Sequence, residues 1–562
     1  MKQNFEIVEN PFGFGAIGTD VYKLGHAGMY QKGTDMVYGN LTPRSNRLFK
    51  APVGYDGKMV VIGTHAAVHE LHVNWKRFFD MPKEQALDIY MDIVNAAIGE
   101  GVVTVDNMSD LHDLGYLPIR VKSLKEGSRV SMKVPVLTIK NTIGKFYWIV
   151  NFLETAISQI TWPTMTTATI AAEYRRILTF WARLTGTPEA AIDWQAHDFS
   201  SRGLMGPEAA ARIGVGHLAS FYGTDNIQAA YYAKAMYDVS SVSILFGSVP
   251  ATEHAVSSSN ILYIEKMLLE GSRPTGEALA ILELGVEAEL NTKELAELLF
   301  LHHYITVLFP TGIASYVTDT YDYWAVLTKI LPLLKDEIMA RDGKLVIRPD
   351  SGDPRKIIAG LKEGEFRCTK QGVAYPLSAW TGAALTAPQG TLTAIPKWEI
   401  EGSIKTLYNI FGGTTTETGH LLLDSHIGLI YGDSITLERS DNILESLFAK
   451  GFASGNVVFG VGSFTYQYIT RDTFGFAVKA TATSVDGEFI AIFKDPATGD
   501  KLKKSAKGYM IVTEDRDGEL VMTDEVTEHE EQFGELNIIY EDGLFAPKPD
   551  FNEIRALIKE AL

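Results

Sequence analysis

Cysteine is almost missing: Cys368 is the only one in 562 residues. No disulfide can form within the chain, and a cysteine-built zinc cluster lacks its ligands. A basic surplus is missing too. The formal charge is −18, which argues against nucleic acid or an anionic membrane as the main partner. An anionic small molecule stays open, since it needs only a local cationic pocket. Long apolar runs are also lacking. "LLFLHHYITVLFPTGIASYV" (298–317) is broken by His302, His303, Pro310 and Gly312, and "MKQNFEIVENPFGFG" has no apolar signal-peptide core. These absences lead to the expectation of a cytoplasmic chain with neither nucleic acid nor membrane as partner.

What is present is ordinary globular composition, 46% hydrophobic and 21% charged. The length exceeds the roughly 250–300 residues that one core supports, so two domains are expected. "KEQALDIYMDIVNAAI" (83–98) carries Leu87, Tyr90, Val94 and Ala97 at helical spacing, with Pro82 at the start. "GKFYWIVNFLETAIS" and "TATIAAEYRRILTFWARL" read as two more helices separated by a break at Pro163. There is no internal repeat or low-complexity tract.

From about residue 190 short apolar stretches run repeatedly into polar clusters: "GIASYVTD", "KLVIRPDSG", "IGLIYGDSIT" and "GNVVFGVGSF". Uniformly apolar strands alternating with helices indicate a covered parallel sheet. Polar ends on several such strands predict an α/β (TIM-like) barrel with its active site at the strand C-termini. After about 475 the pattern is strand-like, with turns at "SVDGEF" and "EDRDGELV" and a closing helix "FNEIRALIKEAL". The expected division is a barrel over 161–474 and a β-rich α+β domain built from 1–160 and 475–562.

Several motifs are weighed and set aside. Gly13 to Gly18 spells GxGxxG, but "VENPF" with Pro11 precedes it and no βαβ unit fits. His65, His69 and His72 fall on one helix side without a supporting carboxylate or cysteine pattern, so ordinary helix positions are expected. The acidic stretch 513–543 reads as a solvated face. His254 is of more interest, because it follows "SILFGSVP" beside Glu253 in register with the other strand ends. Lys494, Lys501, Lys503, Lys504 and Lys507 crowd one loop, which suits an anion.

Arg202, Arg348 and Arg471, the lysines, the carboxylates Asp225, Asp350 and Asp433, and the glycine backbone near Gly460–Gly462 form one chemical set. Arginine and glycine backbone suit phosphate, and aspartates suit ribose hydroxyls or a phosphate-bound magnesium. A phosphorylated sugar is the ligand class this composition indicates.

Beyond composition, "TDVYK" (19–23), "HDFSSRG" (197–203), "GTDN" (223–226), "SVPATEH" (248–254), "IRPDSGDP" (347–354), "IGLIYGDSI" (427–435), "VVFGVGSFTYQYITRDTFGFAVKAT" (457–481) and "FKDP…KKSAKG" (493–508) together resemble the nicotinamide phosphoribosyltransferases in order and spacing. The resemblance implies an irregular α/β barrel as the fold, and synthesis of nicotinamide mononucleotide and pyrophosphate from nicotinamide and phosphoribosyl pyrophosphate. It also implies Mg2+ held mainly through substrate phosphates, with Asp350 as a candidate ligand, ATP as an activating co-substrate, and a homodimer with shared active sites. Phe199 and, from a second subunit, Tyr22 (with Asp20 in the same motif) would enclose the nicotinamide ring. Asp225 would accept from the carboxamide, and Arg202 would lie near ring and pyrophosphate. Arg348 and Asp350 would hold the phosphoribosyl unit, Gly432 and Asp433 the ribose hydroxyls, and Gly462 and Ser463 the 5′-phosphate. Arg44, Arg471, Lys479, Lys494 and Lys503 resemble cations that contact pyrophosphate and ATP. His254 resembles a histidine that ATP phosphorylates, with Asp319 orienting it. Connections near 270–300 and 365–420 look longer than in some members. Three alternatives stay open: a nicotinate phosphoribosyltransferase, a barrel glycosidase using Glu253 and Asp350, and a non-catalytic binding or signalling protein on the same fold.

Overall fold

A computed structural model describes residues 13–386, 393–432, 434–494 and 506–562. The apolar runs do become a parallel sheet. Its strands are β1 Ala196–Asp198, β2 Thr311–Val317, β3 Asp342–Arg348, β4 Ile427–Tyr431 and β5 Val457–Val461, in the spatial order β1-β5-β4-β3-β2. Every neighbouring pair is parallel. The register sets Val461 against Asp198 and Val317 against Arg348, so the polar strand ends gather at one rim. Leu345, Ile347, Ile427, Leu429, Val457 and Phe459 are buried between this sheet and its helices.

Regular pairing makes a parallel half-barrel rather than a full eight-stranded barrel. Beyond it, single parallel bridges join Asp198 to Thr224, Gly223 to Gly247, and Ala251 to Ser315. Two loops, 223–225 and 247–252, thus lie between β1 and β2 and hang from them by backbone bonds such as Thr252 N–H to Ser315 O, 3.0 Å.

Both chain ends meet in a second sheet of seven strands. It runs Glu488–Ala491, Ala477–Val485, Thr34–Thr42, Leu137–Asn141, Ile119–Ser123, Asn537–Glu541 and Leu544–Phe545 in spatial order. The "SVDGEF" turn closes its first hairpin with Asp486 at φ 50° and Gly487 at φ 79°. Two left-handed residues in succession match the right-handed twist of the strands they join. The acidic stretch 513–543 is mostly exposed, as a solvated face should be, and several of its carboxylates also make ion pairs. Glu519 pairs with Lys58 at 2.5 Å, Glu541 with Arg120 at 2.6 Å, and Glu531 with the largely buried Lys122 at 2.9 Å. These carboxylates tie the late strands to the early ones.

The break expected at Pro163 does not occur. One helix, Ile149–Thr185, runs 37 residues with Pro163 inside it. An internal proline costs about 3 kcal/mol through its lost N–H and ring clash. Burial on both flanks outweighs that. Val150, Phe152, Leu153 and Ile157 enter the core of the antiparallel sheet, while Tyr174, Leu178 and Trp181 enter that of the half-barrel. Thr161 Oγ1, two residues before the proline, also donates to Ile157 O at 2.7 Å. The helix spans the 160/161 boundary drawn from sequence and belongs to both cores.

Helix Lys83–Ile98 forms as expected, with its buried stripe on Ala86, Tyr90 and Val94. Gly15 sits in a single 3-10 turn packed on Trp75, where a Cβ would come within 2.6 Å of the indole. His65 bonds the buried Glu126, and His69 and His72 pack on Phe545. The stretches near 270–300 and 365–420 hold helices Glu277–Glu287 and Thr292–His303 and, among the described residues, small hairpins such as Phe366–Cys368 with Ala374–Pro376. Among the described residues no helix is long and apolar enough to cross a membrane.

Candidate active site

β1 ends at Asp198, and the chain turns at once into Phe199 and the 3-10 turn Ser201–Gly203. Asp198 is fully buried, and its Oδ1 accepts from Ser200 N–H at 2.8 Å and Ser200 Oγ at 2.6 Å. A buried carboxylate bonded to the turn in this way holds it rigid. Phe199 and Arg202 therefore face a cavity of about 520 Å³ that Asp225, Leu204, Pro207 and Gln228 also line. Gly460 is inside β5 and buried, so it offers no open backbone. Its role is packing: a Cβ there would sit 2.7 Å from the Phe199 ring and 2.7 Å from Tyr431 O.

Asp225 reaches the same cavity from the bridged loop 223–225. Its Oδ1 accepts from His197 Nε2 at 2.9 Å and from Ser248 Oγ at 2.5 Å. Both bonds end on one oxygen, and among the described residues no donor meets Oδ2. Partial burial pushes the Asp225 carboxyl up, but the hydrogen bonds from His197 and Ser248 and the positive field of Arg348 outweigh this and leave it below its ordinary value. The cavity thus presents an ionised acceptor with one oxygen clamped. Sequence reasoning assigned no role to His197 or Ser248, although both lie within stretches it singled out. The clamp exists only because the bridges carry 225 and 248 beside β1.

The same rim, farther along the sheet at β3, holds the second group. Arg348 closes β3, its Nη2 donates to Thr252 O at 2.5 Å, and its Nε is buried without a hydrogen-bond partner among the described residues. Asp350 N–H donates to Asp319 Oδ2 at 3.0 Å. Asp319, with a side chain only 5% exposed, faces His254 Nε2 from 3.8 Å through Oδ1. His254 opens helix His254–Leu269, is half exposed, and has Thr320 Oγ1 3.2 Å from its Nδ1. Gly432 meets Asp350 so closely that a Cβ would lie 2.7 Å from the carboxylate. Gly462 and Ser463 follow β5, and Ser463 Oγ packs against Gly203, next to Arg202. The rim therefore brings Phe199, Arg202, Asp225, His254, Asp319, Arg348, Asp350, Gly432, Gly462 and Ser463 together. Asp433 lies outside the described residues.

The remaining residues form a separate group on the antiparallel sheet. Tyr22 is 64% exposed on the turn Val21–Lys23. Thr155 Oγ1 donates to Asp20 at 2.5 Å, and Glu154, one residue earlier, pairs with Lys23 at 2.7 Å and approaches Lys479 at 3.9 Å. Arg44 donates to Gly475 O at 2.9 Å. Burial first, then the neighbouring Arg471 charge, lowers the Arg44 guanidinium below its usual range. The Asp472 carboxylate, 3.2 Å from Arg471 Nη2, offsets part of this repulsion. None of Tyr22, Arg44, Arg471 and Lys479 lines the Phe199 cavity. Lys494 is exposed at the start of its loop, and Lys503 lies outside the described residues.

Among the described residues no cluster of three or more His, Cys, Asp or Glu is spaced to hold a metal by itself. The rim supplies Asp350 and Asp319, and the Asp319 Oδ1 is buried without a hydrogen-bond partner among the described residues. Such a sparse carboxylate set suits a hard ion that takes most of its oxygens from phosphates and water, as Mg2+ does.

Residues 194–530 match the nicotinate phosphoribosyltransferase (NAPRTase) family. Over 551 residues the chain is 41% identical to a nicotinamide phosphoribosyltransferase of Acinetobacter baylyi, covering 97% of this chain and 96% of that one. It is 30% identical to the nicotinamide phosphoribosyltransferase of Mycoplasma pneumoniae over 88% of this chain and 94% of that one. Among solved structures, human nicotinic acid phosphoribosyltransferase aligns with a TM-score of 0.54 at 15% identity, over 97% of this chain and 93% of that one. That likeness concerns the fold alone.

Proposed function

The chain belongs to the nicotinate phosphoribosyltransferase family, and from that premise we propose that it is a nicotinamide phosphoribosyltransferase, a pentosyltransferase of NAD biosynthesis. It joins nicotinamide to phosphoribosyl pyrophosphate. The observation that carries the choice of base is the clamped Asp225 carboxylate, which lines the cavity beside Phe199 and has both of its hydrogen bonds on Oδ1. An ionised acceptor suits the NH2 of a carboxamide and repels the carboxylate of nicotinate.

In this reading Phe199 stacks on the pyridine ring and Asp225 fixes its rotation, so that the ring nitrogen is aimed at ribose C1. The nitrogen–C1 bond forms as the bond from C1 to the pyrophosphate oxygen breaks, and the electron pair leaves with pyrophosphate. Arg348 and Arg202 face the charge that develops there. Asp350, with Gly432 packed beside it and the neighbouring Asp433, holds the ribose hydroxyls, and the backbone N–H groups of Gly462 and Ser463 hold the 5′-phosphate. Mg2+, when bound, would neutralise pyrophosphate charge, and Asp350 and Asp319 are the residues that would help to hold it. The two bridged loops complete the half-barrel into an irregular barrel around this rim, and the sheet built from both chain ends forms a second domain. A cytoplasmic location belongs to the same proposal.

The separate group of Asp20, Tyr22, Arg44, Arg471, Lys479, Lys494 and Lys503 is assigned to a second copy of the chain. Tyr22 then covers the other face of the nicotinamide ring, and the cations meet pyrophosphate and ATP. A monomeric mass in sedimentation of the active enzyme would sink this assignment.

The deciding assay offers nicotinamide or nicotinate with phosphoribosyl pyrophosphate and Mg2+. Mononucleotide is expected mainly from nicotinamide, and a preference for nicotinate would overturn the choice of base. His254, exposed and backed by Asp319, is the proposed acceptor of a phosphoryl group from ATP. His254→Ala is expected to keep slow basal synthesis and to lose stimulation by ATP. Unchanged stimulation would remove ATP from the scheme.

A further inference from the structure

The loops that follow β1, β4 and β5 are tied to one another from below, through the four-residue helix Ser463–Tyr466. Thr465 Oγ1 donates to Ile435 O at 3.0 Å, in the loop after β4, and Tyr174 on the long helix donates to the same carbonyl at 2.6 Å. The next residue points the other way. Tyr466 hydroxyl lies 2.8 Å from His217 Nδ1, and His217 Nε2 lies 3.0 Å from Gly223 O.

Chemistry fixes the polarity of this chain. A carbonyl only accepts, so Nε2 carries the imidazole proton and Nδ1 accepts from the phenol. Both side chains are fully buried. Burial pushes the His217 imidazole down to about 4 and the Tyr466 phenol well above its usual range, so both stay neutral. Hydrogen bonds in series in a dry interior reinforce one another, and a missing member leaves a buried polar group unpaired.

The ends of the chain are the two halves of the site. Gly223 bridges to Gly247, one residue before Ser248, and lies two residues before Asp225. It therefore underlies both the clamped carboxylate and one arm of the clamp. Tyr466 lies one helical turn from Ser463, which packs against Gly203 beside Arg202. We propose that His217 and Tyr466 are positioning residues that couple the phosphate subsite to the base subsite, so that filling either one orders the other. This rests on the proposed function and adds to it a cooperative order of assembly.

Ribose 5-phosphate carries the phosphate and the sugar but no leaving group, so it can be bound together with nicotinamide without reaction. Nicotinamide affinity is measured by calorimetry with and without saturating ribose 5-phosphate. In the unmodified enzyme the Kd is expected to tighten by about 5-fold or more, the lower end of typical coupling between sites, and by linkage the effect is reciprocal. In Tyr466→Phe, which removes one oxygen from the chain, the two Kd values are expected to become equal. His217→Gln, which keeps a donor and an acceptor on one carboxamide, should retain more coupling than His217→Leu, and this pair does not depend on the folding of Tyr466→Phe. A purely structural pair would change stability and leave the Kd ratio untouched. Binding of both ligands without coupling, or full coupling in Tyr466→Phe, or equal coupling in the two His217 variants, would overturn the proposal alone. Failure of the unmodified enzyme to bind nicotinamide would overturn the proposed function, and this inference with it.

Discussion

Arg348→Ala is expected to lower kcat/KM for mononucleotide synthesis by about 1,000-fold, the size of loss that follows removal of one donor aimed at developing charge. The expectation comes from how the guanidinium is held. β3 delivers it to the rim, and Nη2 is spent on the Thr252 carbonyl at 2.5 Å, which fixes the plane of the fork. Nε is buried and meets no acceptor among the described residues. A buried unpaired donor costs about 1–3 kcal/mol, and the cost is relieved when an incoming oxygen accepts from it. Phosphoribosyl pyrophosphate supplies such oxygens. The same charge helps to hold Asp225 ionised, so its loss also raises the Asp225 pKa. The larger change should fall on kcat and on KM for the phosphorylated substrate. Arg348→Lys keeps the charge without the planar fork and should recover only part of the rate. Steady-state kinetics on variants with unchanged circular dichroism checks this. A loss below about 5-fold, within the range of a screened surface charge, would show that Arg348 is not aimed at the reacting phosphates.

The half-barrel was legible because its strands are short apolar runs that stop abruptly in polar residues, a pattern local to each strand. The rim residues could be named for the same reason. Arg348 is the last residue of a strand, and Asp350 and Gly432 stand two residues and one residue beyond one. What the sequence hid depends on pairings between distant positions. His217 and Tyr466 are 249 apart in sequence and meet at 2.8 Å, and nothing local marks either as more than a helix residue. His197 and Ser248 gain their role only because the loops at 223–225 and 247–252 are bridged beside β1. Pro163 misled because local propensity argues for a break, while two separate cores hold the helix continuous across it. Gly460 misled in the opposite sense, being required by the Phe199 ring and not by phosphate.

Asp225→Asn should reverse the preference between the two bases, lowering kcat/KM for nicotinamide by about 100-fold through loss of a charge-assisted bond and creation of a donor–donor contact. The clamp makes the change sharper than the small difference in size suggests. His197 Nε2 and Ser248 Oγ both donate to Oδ1. An amide placed there satisfies them only by keeping its oxygen at that position, which turns its NH2 toward the cavity. The serine hydroxyl can reverse its bond freely, but the imidazole can do so only by moving its proton to Nδ1. The donor therefore stays aimed at the substrate. It opposes the NH2 of nicotinamide and suits the carboxylate of nicotinate, whose repulsion by the native side chain is gone as well. Competition assays with both bases present read the ratio of specificities directly, independent of enzyme concentration. KM for phosphoribosyl pyrophosphate should hardly move, because the phosphate end of the rim is intact. If the variant still prefers nicotinamide by the native ratio, the carboxamide is recognised elsewhere, and the clamp on Asp225 serves the loop and not the base.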